Sequence, residues 1–262
     1  MKRNFAEFVE FAETTSHAPV VEIERVLTGG KLSLIDSEML RGVSTLVVIG
    51  FDSLRTLQNA QRSEIDAIAE FLAHRDHLAF ICPHHDVGEV AGLDRDARIR
   101  AQLAEFRHHG DVSLPPQQGF GGYARSVLAG LGVPVVNRFG LHPASEADGS
   151  PAAIEVETQF DRLGLLKGVH TLNIHAHLPQ LERIGGAVER LDVVVRQKID
   201  SNAPPHPFAR NRDDFDAMLQ SKPELFAGTL VVCDATLWSS TAGGVESLRR
   251  FWTNALLRLD TN

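Results

Sequence analysis

The fold is decided by residues 44–83, where STLVVIGF (44–51) is followed by SEIDAIAEFL (63–72) and then by HLAFICP (77–83). The first and third segments are continuous apolar runs, which are typical of parallel strands covered on both faces. The middle segment repeats apolar residues at helical spacing and carries acidic side chains in its first turn, where the helix dipole favours them. A strand, a helix and a second strand in this order predict a βαβ unit with parallel strands.

Apolar segments outside this unit extend the same pattern. APVVEIERV (18–26) alternates like a strand, GTLVVCD (228–234) is a further continuous apolar run, and VESLRRFWTNALLRL (245–259) predicts an amphipathic helix. Strands that alternate with helices favour an α/β fold. We therefore expect a three-layer sandwich with a mostly parallel, flavodoxin-like central sheet.

The domain organisation follows from the lack of any linker-like segment in the sequence. We expect one α/β domain over residues 1–262, with an irregular, polar insertion around 84–160. The long, proline-bearing stretch around 201–216 predicts a loop or lid. Enzymes of this size often form two-fold dimers, so the expected assembly is a homodimer.

The composition excludes several classes of protein. A hydrophobic content of 43% supplies enough apolar material for folding, and a formal net charge of −8 argues against a general nucleic-acid binder, which needs a basic face. The N-terminal segment is acidic where a signal peptide would be apolar, and no window holds the ~18 apolar residues of a membrane span. Cys82 and Cys233 are expected to be buried free thiols in a reducing compartment. We expect a cytoplasmic protein that acts on a small molecule, without nucleic-acid or membrane partners.

Histidines gather at two predicted strand ends. His84, His85 and Asp86 follow HLAFICP, and His175 and His177 are two apart in the extended segment TLNIHAH. Residues two apart in extended backbone project to the same side, and α/β sheets bind ligands at the carboxyl ends of their strands. We expect His85, His175 and His177 to hold a divalent metal ion (Zn, Mn, Fe or Ni) with an open position for water, and His84 and Asp86 to transfer protons.

Two other interpretations of these histidines stay open. Short histidine pairs arise by chance in a chain that contains twelve histidines. The same side chains are also compatible with binding of a polar ligand without a metal, or with a purely structural or solvated role.

Cys82 offers a second catalytic hypothesis. It lies at a strand-to-turn junction, where a nucleophile would stand, with His84 or His85 as its base. Pro83 follows it directly and removes the backbone N–H that would help to build an oxyanion hole.

Four further residues are expected to bind substrate. Asp52 and Asp234 follow predicted strands, and Trp238 would form an apolar wall of the pocket. Arg210 belongs to the predicted loop around 201–216 and is suited to hold a carboxylate or phosphate.

The order of these parts resembles the class I glutamine amidotransferase-like superfamily, and within it the ThuA-like and related uncharacterised branches. The resemblance rests on STLVVIGFDS (44–53), SEIDAIAEFL (63–72), HLAFICPHHD (77–86), GTLVVCDATLWSS (228–240) and FWTNALLRL (251–259). It implies the fold and a site at the carboxyl ends of the strands.

The site residues depart from that superfamily's pattern. Cys82 lacks the flanking glycines of the nucleophile elbow, and the pair His175-Ala176-His177 has histidine where the amidotransferases have glutamate. The resemblance therefore implies the architecture and not glutaminase chemistry.

Three functions remain in view. The leading one is a small-molecule enzyme, a metal-assisted hydrolase or lyase that acts on a polar metabolite through the His/Asp cluster. The second is a metal-free cysteine hydrolase that uses Cys82. The third is a non-catalytic ligand-binding or scaffold domain that has kept the pocket of the fold.

Overall fold

The computed structural model of the chain describes residues 4–26, 31–50, 58–85, 94–96, 121–172, 178–202, 211–239 and 246–258. The helices in these ranges are α1 (Ala6–Ser16), α2 (Arg62–Phe71), α3 (Gly122–Gly130), α4 (Ala187–Arg190) and α5 (Glu246–Leu257). The strands are β1 (Thr45–Gly50), β2 (Leu78–Pro83), β3 (Val135–Leu141), β4 (Glu155–Val156), β5 (Leu178–Arg183), β6 (Leu191–Lys198), β7 (Asp214–Ser221) and β8 (Thr229–Cys233). Within these ranges, no helix has the length and hydropathy required to cross a bilayer.

The expected βαβ unit is present. β1 and β2 pair in parallel, from Thr45 opposite Leu78 to Gly50 opposite Pro83, and α2 connects them. The helix begins at Arg62, one residue before the segment expected to be helical (63–72), and its N-cap Gln61 forms a capping box with Glu64.

The α/β class is confirmed, but the main sheet is mixed and not mostly parallel. Its order is β1-β2-β8-β7-β6-β4, in which β1, β2 and β8 are parallel neighbours and the pairs from β8 onward are antiparallel. The physical reason lies in the connection 222–228 between β7 and β8, because a parallel crossover needs roughly a dozen residues or more. β1 is the first strand of the described sheet and is only half-buried, whereas β2, between two parallel neighbours, is buried throughout.

Helices cover both faces of the parallel strands. Phe80 and Cys82 of β2 belong to a core that includes residues of α1 and α5. Ala79 and Ile81, which alternate with them, belong to a second core with residues of α2 and α3. This alternation assigns each side chain of β2 to one of two separate cores.

Two other segments complete the described fold. β3 and β5 form a separate antiparallel pair, which brings β3 to the end of β2. The segment 18–26, expected as a strand, is irregular, and among the described residues its strand-type pairing is limited to an isolated bridge between Val26 and Leu32. Its Val21 is 75% exposed. An alternating pattern does not by itself produce a strand, because a strand also needs a neighbouring strand to pair with.

Candidate functional site

The carboxyl ends of β1, β2 and β8 lie at one edge of the sheet, here called the carboxyl edge. His84 and His85 follow β2 directly, and Asp234 follows β8. All three are buried, with exposed fractions of 3%, 0% and 2%. Neighbouring parallel strands therefore bring two imidazoles and a carboxylate to the same buried region.

His84 and Asp234 face each other. The Nδ1 atom of His84 lies 3.6 Å from Oδ1 of Asp234. The other carboxylate oxygen, Oδ2, accepts hydrogen bonds from the backbone N–H of Thr236, at 3.1 Å, and from the Thr236 hydroxyl. Asp234 thus caps the short 3-10 helix Ala235–Trp238 with one oxygen and presents the other to the imidazole.

The backbone of His84 is held on both sides. Its N–H donates to the carbonyl of Gly50, at 3.1 Å, and its carbonyl accepts from the side-chain amide of Asn137. The amide oxygen of Asn137 in turn accepts from the guanidinium of Arg125 at 2.6 Å. β1, β3 and α3 therefore fix the position from which the imidazole meets Asp234.

His85 lies against His84, and the two ring centroids are 4.2 Å apart with the rings tilted by 54°. Among the residues that the structure describes, no three or more His, Cys, Asp or Glu side chains are grouped closely enough to hold a metal ion. The remaining members of the expected cluster, Asp86, His175 and His177, lie outside the described residues. The metal site thus stays a prediction, and the structure supplies the position of His85 alone among its expected ligands.

The start of α3 packs on the carboxyl edge. Gly121, the N-cap of α3, has φ +69°, and a β-carbon there would lie 2.7 Å from Cβ of Pro83. A β-carbon on Gly50 would lie 3.1 Å from Cβ of Ala124. Glycine at both positions lets the helix approach the ends of β1 and β2 this closely.

Cys82 and Trp238 point into the core that includes α1 and α5. Both are fully buried, and the indole N–H of Trp238 donates to Sγ of Cys82 at 3.1 Å. Trp238 also makes edge contacts with Phe8 and Phe80, with ring centroids 4.7 Å and 4.8 Å apart. The roles proposed for them, nucleophile and pocket wall, stay predictions that these contacts do not favour.

The two remaining substrate-binding candidates, Asp52 and Arg210, lie outside the described residues. A cavity of about 520 Å³ lies between the turn at 167–170 and α5. Its lining contains none of the predicted site residues.

Asn137 and Arg125 are residues of the site that the sequence did not indicate. Both are polar residues within mainly apolar segments, Arg125 in α3 and Asn137 in β3. A buried asparagine in a strand is the one available signal, since buried polar side chains need hydrogen-bond partners.

A second polar network links α2 to α3 behind the carboxyl edge. The buried carboxylate of Glu64 accepts two hydrogen bonds from Arg25, at 2.9 Å and 2.8 Å, and one from the hydroxyl of Tyr123, at 2.9 Å. Burial acts to raise the pKa of Glu64, but the hydrogen bonds from Arg25, from the Gln61 backbone and from Tyr123 outweigh it and hold the pKa below its usual value. Burial, together with the bond to Glu64 and its charge, raises the pKa of Tyr123 far above its usual value.

No family model matched the chain, and comparison with curated proteins and with solved structures found no similar protein.

Proposed function

We propose that the protein is an enzyme that hydrolyses or cleaves a polar small molecule at the carboxyl edge of β1, β2 and β8. His84 transfers protons to and from the substrate, and Asp234 orients its ring. His85 takes part in a divalent metal site together with His175 and His177. Asp86, which follows His84 and His85 in the sequence, is proposed as a second acid or base.

The observation that carries the proposal is the 3.6 Å approach between Nδ1 of His84 and Oδ1 of Asp234. A carboxylate beside one ring nitrogen attracts that side of an imidazole and leaves the opposite nitrogen, Nε2, to act on a ligand. The same geometry serves a general base and a metal-bound histidine.

The anchoring of His84 supports a functional interpretation over a purely structural one. Its backbone is bonded to Gly50 and to Asn137, and its side chain faces a carboxylate that Thr236 holds in place. Preorganisation of this kind reduces the reorganisation needed when a substrate reacts. Cys82 is left out of the proposal, because its sulfur lies in the core against Trp238 and Cys233.

The metal would be a Zn, Mn, Fe or Ni ion. Imidazole ligands suit these metals, and a bound ion of this kind lowers the pKa of a water molecule and polarises a substrate oxygen. The described part of the site offers His85, buried and adjacent to His84, toward such a set.

The wider setting of the proposal is a three-layer, flavodoxin-like sandwich of the class I glutamine amidotransferase-like type, similar to its ThuA-like and related uncharacterised branches. The two cores on opposite faces of β2 are compatible with it. The proposal includes a homodimer in the cytoplasm, where a reducing environment would keep Cys82 and Cys233 as thiols.

The test combines a substrate panel with matched variants. Purified protein is assayed against small polar esters, amides and phosphate esters, beside His84→Gln, Asp234→Asn and the control His74→Gln, which alters an exposed histidine. We expect His84→Gln to lower turnover about 100-fold or more and Asp234→Asn roughly 10- to 100-fold. Asparagine can still accept from Thr236 but brings no negative charge to His84.

Elemental analysis of the same preparations tests the metal. Wild-type protein should carry about one equivalent of a divalent transition metal, and His85→Ala and His175→Ala should lose it. Unchanged turnover in His84→Gln would refute the proton-transfer role. Binding of polar metabolites without turnover of any substrate in the panel would instead favour a non-catalytic ligand-binding domain.

A further inference from the structure

The two cysteines of the chain lie side by side on neighbouring strands. In the parallel register of β2 and β8, Ile81 stands opposite Val232, so Cys82 and Cys233 come next on the two strands. Their Sγ atoms are 3.5 Å apart, and both residues are fully buried free thiols. Their separation of 151 positions in the sequence conceals this contact.

The geometry lies close to that of a disulfide. Neighbouring strands are ~4.8 Å apart, which falls within the ~4.4–6.8 Å range of Cα separations that disulfides span. Bond formation requires the two sulfurs to move from 3.5 Å to ~2.05 Å. Because parallel side chains leave the strands in the same direction, the β-carbons must also approach from about the strand spacing to ~3.8 Å.

We propose that Cys82 and Cys233 form a reversible disulfide when a small peroxide reaches them, and that this bond alters the contact between His84 and Asp234. The disulfide does not depend on the proposed enzymatic function, since it rests on the two thiols alone.

The chemistry balances with hydrogen peroxide as the oxidant. One thiol loses its proton, its sulfur attacks a peroxide oxygen and the O–O bond breaks. The departing hydroxide takes up that proton, so a sulfenic acid and one water molecule result. The second sulfur then attacks the sulfenic sulfur, the S–O bond breaks, and a second water molecule leaves. Two thiols lose two electrons and two protons in total, and one peroxide becomes two water molecules.

Burial determines which oxidants act on the pair. Complete burial excludes bulky disulfide reagents, and a small peroxide reaches the pair only when local motion opens the core. Burial, together with the neighbouring Cys82, also raises the pKa of the Cys233 thiol well above its usual value, which slows the reaction of this thiol with peroxide.

The consequence for the site follows from sequence position. Asp234 comes directly after Cys233, and His84 comes two residues after Cys82. Drawing the strand ends together by about 1 Å strains the bond and makes it readily reducible. The same movement shifts the imidazole and the carboxylate relative to each other, and it changes the sulfur to which Trp238 donates its N–H.

The decisive measurement is the intact mass of the wild-type protein. After treatment with excess hydrogen peroxide, and alkylation under denaturing conditions, the chain should carry no alkyl group and, apart from oxygen atoms added to its three methionines, should be about 2 Da lighter than the reduced protein. Dithiothreitol should restore two alkylatable thiols. A bulky aromatic disulfide reagent should leave the native protein unmodified. Cys82→Ser and Cys233→Ser serve as controls, since neither can form the bond.

Emission from Trp238 provides a second readout in a Trp252→Phe background, in which Trp238 is the remaining tryptophan. We expect its fluorescence to change on oxidation and to recover on reduction in step with the mass. Wild-type protein that gains oxygen atoms without the loss of two hydrogens, or that keeps both thiols through peroxide treatment, would overturn the proposal. Because mass and fluorescence need no substrate, failure here is distinguishable from failure of the enzymatic proposal.

Discussion

Gly121 stands against Pro83 so closely that a β-carbon on residue 121 would fall 2.7 Å from Cβ and 3.0 Å from Cα of the proline. The contact packs the first turn of α3 against Pro83, the last residue of β2, which directly precedes His84. Tyr123 and Arg125 lie in the same helix, so both polar networks behind and beside the carboxyl edge depend on this packing.

Gly121→Ala should therefore destabilise the protein strongly. The left-handed φ of +69° costs a non-glycine residue ~1–2 kcal/mol, and the forced contact with Pro83 adds about 1–3 kcal/mol. We expect the free energy of unfolding in urea to fall by about 2–5 kcal/mol in total. Gly149→Ala is the matched control, because Gly149 has φ +83° but no atom of the described residues within 4 Å of its β-carbon position. Equal losses in the two variants would show that the contact with Pro83 has no energetic weight.

The parts of this fold that the sequence predicts are those with a local signal. β2 is a continuous apolar run, and α2 and α5 carry helical periodicity, so each is recognisable without its neighbours. β7, with the sequence DFDAMLQS, lacks β-branched residues and was not expected as a strand. It is a strand because β6 and β8 pair with it on either side, which is a tertiary effect.

The site divides in the same way. His84, His85 and Asp234 are predictable because they follow apolar strands, and ligands bind at strand ends in α/β sheets. The hydrogen bond from Asn137 to His84 joins residues 53 positions apart and depends on how β3 and β5 pack, so no local sequence pattern predicts it. The contact between Cys82 and Cys233 is hidden for the same reason.

Glu64→Gln tests the buried ion pair between α2 and the segment before β1. Loss of the carboxylate leaves the guanidinium of Arg25, whose side chain is only 14% exposed, without its charge partner, at a cost of about 3 kcal/mol at neutral pH. The folded state lowers the pKa of Glu64, so its contribution is complete above the unfolded value of ~4.3 and disappears as pH falls through the lower folded value.

The difference in unfolding free energy between wild type and Glu64→Gln should accordingly narrow in acid, as measured by urea unfolding across a pH series. Glu70→Gln, an exposed substitution in the same helix, should change stability by less than about 0.5 kcal/mol at every pH. A difference that stays constant down to low pH would contradict the ion pair.

Tyr123 can be followed directly, because it is the single tyrosine of the chain. Burial and the hydrogen bond to Glu64 raise the pKa of Tyr123 in the folded protein. In the urea-unfolded chain, tyrosine ionises with a pKa of ~10. Just above that pH, near-ultraviolet absorbance should therefore show tyrosinate in the unfolded chain but little in the native protein. The raised value contributes stability below the unfolded pKa, and this contribution is lost as pH rises further. A native titration midpoint near that of the unfolded chain would place the hydroxyl in water.

Asn137→Ala tests the support under His84. The substitution removes the donor to the His84 carbonyl and the acceptor for Arg125, and it does so at a fully buried position, so we expect a loss of about 2 kcal/mol in urea unfolding. Asn202→Ala changes an exposed turn residue and should be nearly neutral. If His84 acts as proposed, Asn137→Ala should also lower turnover of the best substrate, because the imidazole loses its fixed position. Measured where both variants are fully folded, this fall should be larger than in Gly149→Ala. Stability loss without any additional loss of turnover would confine Asn137 to a packing role.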